Sequence, residues 1–178
     1  DVAWYQGSEG IADFIEEYDI FGYSLTAGDF NADGFADLVV GVQEDIDSAL
    51  RAGMVQVLFG SNEALTAEGN EFWHQNSPGI DGHAERDDWF GHALAAADFN
   101  GDGADDLAVG APGKEISGTA LAGAVSVLYA SASDDSFAFD TPRRWIISFY
   151  VAYWNRAADP GGLGYWLGLV ADDSLDVP

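Results

Sequence analysis

The sequence predicts a mainly β fold: two propeller-like blades of antiparallel strands, an incomplete propeller, followed by a small C-terminal helical hairpin. Three observations predict it. First, residues 19–41 (DIFGYSLTAGDFNADGFADLVVG) recur without a gap at 88–110 (DWFGHALAAADFNGDGADDLAVG), and fourteen of the 23 aligned positions are identical. Second, a strand-like run recurs on the same scale, VQVLFGS at 55–61 and VSVLYAS at 125–131. Third, the texture changes near residue 141 from alternating, glycine-punctuated sequence to a run dense in aromatics.

The repeated runs alternate and are rich in β-branched and aromatic residues, so they read as strands. Residues 38–42 (LVVGV) and 107–111 (LAVGA) are short apolar runs bounded by turn residues, as buried strands are. Residues 2–8 (VAWYQGS) read as a degenerate earlier copy of the 55–61 strand. A unit of about 70 residues with several short strands suits a propeller blade better than a helical repeat. The expected organisation is a β region, 1–140, divided into units at about 2–53 and 54–131, and a hairpin at 141–178. In the hairpin, Trp145, Phe149 and Tyr153 fall at i, i+4 and i+8, with Ile146, Tyr150 and Trp154 beside them, which gives a helix with a wide apolar face. The ADPGG stretch at 158–162 breaks it, and 163–170 predicts a second short helix.

The charge balance narrows the partners. There are 31 acidic residues against 6 Lys and Arg, a formal net charge of −25. Such a chain repels nucleic acid and anionic membrane surfaces. With no cysteine, disulfides, thiolate metal sites and cysteine nucleophiles are excluded. No apolar run reaches the length of a membrane span, and no basic-then-apolar leader opens the chain. On this reading an exported form would be a mature chain or a fragment, and membrane insertion is not expected.

Each long repeat contains the pattern D-x-N-x-D-G-x-x-D: Asp29, Asn31, Asp33, Gly34 and Asp37 in the first, Asp98, Asn100, Asp102, Gly103 and Asp106 in the second. Oxygen ligands at positions 1, 3 and 5 converge when such a loop curls. The glycine at position 6 permits the turn, position 7 (Phe35 or Ala104) offers its carbonyl, and the Asp at position 9 closes the sphere. Hard, charged oxygen donors favour Ca²⁺ over zinc or copper, and Mg²⁺ is less suited because it keeps its waters. Two calcium sites are therefore expected. At position 12, where a calcium-sensing helix–loop–helix has a bidentate Glu, stand Val40 and Val109, so the expected ions are structural staples and not switches.

These residues resemble the FG-GAP repeat, the blade of integrin-α-type propellers and of many secreted bacterial proteins. The second copy has Phe90-Gly91, the loop and strand, Gly110-Ala111-Pro112, and a lead-in at 76–80 (NSPGI). The first keeps Phe21-Gly22 and the loop, but has Gly41-Val42-Gln43 where Gly-Ala-Pro is expected. The resemblance covers residues 2–131 and implies calcium at the ten positions named above. Family propellers close with about seven blades, whereas two are present here, so the missing neighbours must come from elsewhere. Residues 156–166 (RAADPGGLGYW) resemble the R-x-P-D-x-x-G-x-x-Y-W signature of a bacterial secreted-protein domain of unknown function, with Ala158 in place of the usual Pro. That likeness implies a bacterial, extracellular or cell-surface setting.

No nucleophile elbow, phosphate loop or dinucleotide fingerprint is present. His83, Glu85, Asp87 and Asp88 fit no zinc spacing and read as an acidic loop leading into the second unit. The chain is therefore expected not to be an enzyme. It reads first as an extracellular calcium-stabilised structural or adhesive module, a homo-oligomer or polymer assembling through blade edges and the hairpin, even into a filament. A ligand-binding propeller fragment of a larger bacterial surface protein, with a glycan or protein ligand, is second. A secreted hydrolase is third.

Overall fold

The computed structural model describes residues 2–11 and 14–130. The expected helical hairpin and the R-x-P-D-like stretch lie outside them. Among the described residues seven strands form: β1 (Ser24–Gly28), β2 (Asp37–Val42), β3 (Met54–Phe59), β4 (Thr66–Trp73), β5 (Ala93–Ala97), β6 (Asp106–Ala111) and β7 (Ala124–Leu128). They make two antiparallel sheets, a four-stranded β1-β2-β3-β4 and a three-stranded β5-β6-β7. Both belong to one compact unit, Asp1–Ala138.

The repeat reproduces itself in register. Ser24 faces Gly41 and Gly28 faces Asp37 in the first sheet; Ala93 faces Gly110 and Ala97 faces Asp106 in the second. Leu38 opposite Leu58 becomes Leu107 opposite Leu128. The central strands carry the apolar runs. Every residue of β3 is buried, and Val40, Val42, Ala52 and Met54 form one cluster with Ile46, against which Phe21 and Ala84 pack. A second cluster joins Ile11, Leu58 and Ala67, with Trp4 and Leu65 at its margin.

Two expectations are corrected. The division at residue 53/54 falls between hydrogen-bonded strands: β2 pairs with β3 from Leu38↔Leu58 to Val42↔Met54, so the first sheet runs to Trp73 and the second begins at Ala93. Residues 2–8 form no strand. Ser8 N–H donates to the Tyr5 carbonyl (2.9 Å) and Ile11 N–H to the Ser8 carbonyl (2.9 Å), while Ser8 Oγ accepts from Tyr5 N–H. The same turn recurs at His74, Ser77 and Ile80, so this segment is the counterpart of the turn after β4 and not of β3.

A backbone seam joins the sheets. Asp87 N–H donates to the Leu50 carbonyl (2.9 Å), Trp89 N–H to Arg51 (3.2 Å) and Phe90 N–H to Ala52 (2.8 Å). Ser24 Oγ donates to the Gly91 carbonyl (2.5 Å), and Arg51 pairs with Asp87. The approach is close enough to require glycine: a Cβ on Gly53, whose φ is +85°, would lie 2.2 Å from the Phe90 carbonyl oxygen.

Candidate metal centre

The loop between β1 and β2 and the loop between β5 and β6 fold alike, because the side chains at positions 1, 3 and 5 accept from backbone N–H groups two to five residues ahead. In the first loop Asp33 N–H donates to both Asp29 Oδ1 (3.0 Å) and Asn31 Oδ1 (3.1 Å), Gly34 N–H to Asp29 Oδ2 (2.9 Å) and Phe35 N–H to Asp33 Oδ1 (2.8 Å). In the second, Asp102 N–H donates to Asp98 Oδ1 (3.1 Å) and Asn100 Oδ1 (2.8 Å), Gly103 N–H to Asp98 Oδ2 (3.1 Å) and Ala104 N–H to Asp102 Oδ1 (3.0 Å). Position 4 is left-handed in both, with Ala32 at φ 56° and Gly101 at φ 80°.

Asp37 and Asp106 do a different job from the other acids. Asp37 accepts from Phe30 N–H (2.8 Å) on one oxygen and from Gly60 N–H (2.8 Å) on the other, tying the loop's start to the end of β3. Asp106 does the same with Phe99 N–H (3.0 Å) and Ala130 N–H (2.9 Å). Both are buried. Burial is the main force raising the Asp37 carboxyl above its ordinary range, opposed by its two backbone bonds and abetted by the charges of Asp33 and Asp29. Burial likewise pushes Asp106 up to about 6, with the Asp102 charge adding to it.

The donor set fits a hard divalent cation. It is all oxygen, and the bonds to the Asp33 and Asp102 N–H groups bring the first two ligand oxygens of each loop to one point. Asp29, Asn31, Asp33 and Asp37, with the Phe35 carbonyl, would hold one ion; Asp98, Asn100, Asp102 and Asp106, with the Ala104 carbonyl, the other. A bound ion would neutralise the carboxylates that raise one another's proton affinity. Neither loop gathers three carboxylates as tightly as Glu16, Asp19 and Glu44, whose oxygens lie within 4.8 Å of one another among the described residues. Glu44 and Glu16 were not singled out by sequence; nor was Lys114, whose ammonium bonds Glu85 and Asp88. The loops themselves are linked: Asp29 N–H donates to Asp105 Oδ2 (2.9 Å), and Asp105 N–H to the Asp29 carbonyl (2.9 Å).

Fold and loops together define a tandem of antiparallel β repeats, each closed by one acidic loop. The family described as FG-GAP repeat matches at residues 21–58 and 90–128, so the chain carries two FG-GAP repeats. Each match runs from the Phe-Gly pair to the third strand of a sheet, and the fourth strand of the first sheet lies beyond its match. The chain is 34% identical over 115 residues to phosphatidylinositol-glycan-specific phospholipase D of Bos taurus, covering 64% of this chain and 14% of that protein. To the Mus musculus protein of the same name it is 36% identical over 115 residues, 64% of this chain and 13% of the relative. Integrin alpha-V of Gallus gallus is 35% identical over 101 residues, 57% of this chain and 8% of the integrin. The chain thus spans a small part of the length of these relatives. Among the described residues, no helix is long and apolar enough to cross a membrane.

Proposed function

We propose that the two repeats form a structural and adhesive module of the cell exterior, stiffened by Ca²⁺ in its two loops, and that further blades complete it by docking head to tail. The supporting observation is the fate of one strand face. Val55 in β3 is fully buried, with Gly91 of the second repeat close against it, whereas its counterpart Val125 in β7 is 69% exposed. Val127 and Leu121 are exposed beside it. At the other end Tyr18 and Ile20, which hold on the first repeat the places of the seam residues Asp87 and Trp89, lie open. The internal seam already joins a trailing face of this kind to a leading face of this kind. A second copy of the chain can therefore repeat that contact, and successive copies build a ring or an open filament according to the rotation per step. Likeness to an integrin alpha chain supports an adhesive role. The R-x-P-D-like stretch supports a bacterial surface.

Sedimentation velocity on the calcium-loaded chain tests this. We expect concentration-dependent assemblies, visible by electron microscopy and dispersed by a chelator, and a Val125→Asp variant that stays monomeric with an unchanged fold. A calcium-loaded wild-type monomer at every concentration refutes self-assembly.

The second reading is a ligand-binding propeller whose further blades lie in a longer chain, supported by the far greater length of the relatives. Intact mass of native material separates the two. A secreted hydrolase has less support. It needs a carboxyl of raised pKa in a recess, whereas Asp37 and Asp106 hold strand ends, and the recess lined by Tyr23, Val42, Gln43, Trp89, Phe90, Gly91 and His92 carries no carboxylate.

A further inference from the structure

We infer that Glu16, Asp19 and Glu44 form a third divalent-cation site, separate from both loops. The two repeats solve one electrostatic problem in different ways. In the second, the Lys114 ammonium, 8% exposed, bonds Asp88 Oδ2 (3.0 Å), Glu85 Oε2 (2.7 Å) and the His83 carbonyl (2.6 Å). In the first, the counterparts of Asp88, Glu85 and His83 are Asp19, Glu16 and Phe14, each 69 residues earlier.

The counterpart of Lys114 is Glu44. The hydrogen bonds establish this: Gly53 N–H donates to the Glu44 carbonyl (2.9 Å) as Gly123 N–H does to that of Lys114 (3.0 Å), and the bridge Ile46↔Ala49 follows the first as Ile116↔Thr119 follows the second. Glu16 N–H donates to Asp19 Oδ2 (2.7 Å) as Glu85 N–H does to Asp88 Oδ2 (3.0 Å). The same two carboxylate positions therefore hold a cation in one repeat and meet a third carboxylate in the other.

Glu44 and Asp19 are buried, at 3% and 6% exposed. The Glu44 carboxylate is aimed by Gln6 Nε2, which donates to Oε2 (2.7 Å), and by Asp45 N–H, which donates to Oε1 (3.1 Å). One of its oxygens, one of Glu16 and one of Asp19 lie within 4.8 Å of one another. Two carboxylates and an ammonium carry a net charge of minus one. Three carboxylates and one divalent ion carry the same. All-oxygen, carboxylate-rich coordination selects Ca²⁺ among the common divalent ions.

The test counts ions. Equilibrium dialysis against Ca²⁺, with calorimetric titration, is run on the full chain as wild type, as Glu44→Lys and as the loop variant Asp33→Ala/Asp102→Ala. We expect Glu44→Lys, which installs the second repeat's own cation, to bind one ion fewer per chain and to melt several degrees higher than wild type in chelator. The loop variant should still bind one ion, which Glu44→Lys in that background removes. If Glu44→Lys does not fold by circular dichroism, Glu44→Gln must show the same loss of one ion. An unchanged ion count in the folded Glu44 variant, or no bound ion in the folded loop variant, overturns the inference. Failure of the loops alone leaves a wild-type count of one that Glu44→Lys abolishes.

Discussion

The two repeats share sequence, register and loop bonds, yet the same glycine means different things in each. A Cβ on Gly53 would strike the Phe90 carbonyl, whereas one on its counterpart Gly123 would meet nothing nearer than the Pro112 carbonyl at 3.5 Å. A Cβ on Gly91 would lie 2.7 Å from the Met54 carbonyl, but around Gly22 nothing lies within 4 Å. Gly53 and Gly91 belong to the seam, Gly123 and Gly22 to the two outer faces. A repeat therefore carries two such surfaces, and within this chain only the pair at the internal seam meets close backbone.

The largest effect should separate those surfaces. Gly53→Ala should destabilise by about 3 kcal/mol or more, because backbone must move against backbone. Gly123→Ala should cost only about 1 kcal/mol, the price of a side chain in the left-handed region. Urea unfolding of each variant as a dilute monomer measures both, and equal losses would break the distinction between seam and outer face. In assembled protein the gap should narrow, since Gly123 would then be a seam residue.

A smaller effect tests the equivalence of the loops. Ala32 takes a left-handed conformation that Gly101 takes without strain. Ala32→Gly should stabilise by roughly 0.5–1 kcal/mol, and Gly101→Ala should reverse this.

The smallest is a pH trend read by thermal melting. The Asp106 carboxyl titrates at about 6 in the folded chain, against an ordinary value of 3.8. Between those values the folded state binds more protons, so in chelator this contribution is fully present below about 4 and is lost as pH rises through 6. Metal-free protein should melt higher at pH 5 than at pH 7. With calcium the trend should invert, because ligand carboxylates must be ionised. Asp106→Asn should flatten the metal-free trend.

Much of this was legible in the sequence, for reasons that also mark its limits. The loops were readable because the bonds that curl them are local: Asp29 to Asp33 and Gly34, Asp33 to Phe35. Strands β2, β3, β6 and β7 were readable from their branched apolar runs. Strand β5, ALAAA, and the polar β4, TAEGNEFW, lack that signature and are fixed by pairing with their neighbours. The sheet boundary was misplaced because a tandem repeat has no intrinsic phase: a cut anywhere yields equal units. Residues 2–8 alternate like a strand, but the Tyr5–Ser8 turn follows the pattern at 74–77. Glu44 escaped notice because the repeat offset changes from 69 to 70 between Gly41 and Ile46, which conceals its match to Lys114 until the hydrogen bonds are traced.

The Asp29–Asp105 link has a consequence for any row of copies. Asp105 reaches back to Asp29 across Gly28, where a Cβ would sit 2.9 Å from its Oδ2. In the repeat alignment the counterpart of Asp105 is Ala36, and that of Gly28 is Ala97. A junction between copies would therefore set alanine against alanine and lack this carboxylate clamp. A charge-assisted hydrogen bond contributes about 1.5–3 kcal/mol, so such junctions should be roughly tenfold to a hundredfold weaker than the internal one. Subunits would then exchange in whole pairs of repeats, with the seam between Gly53 and Phe90 never opening and every second interface acting as the point of turnover.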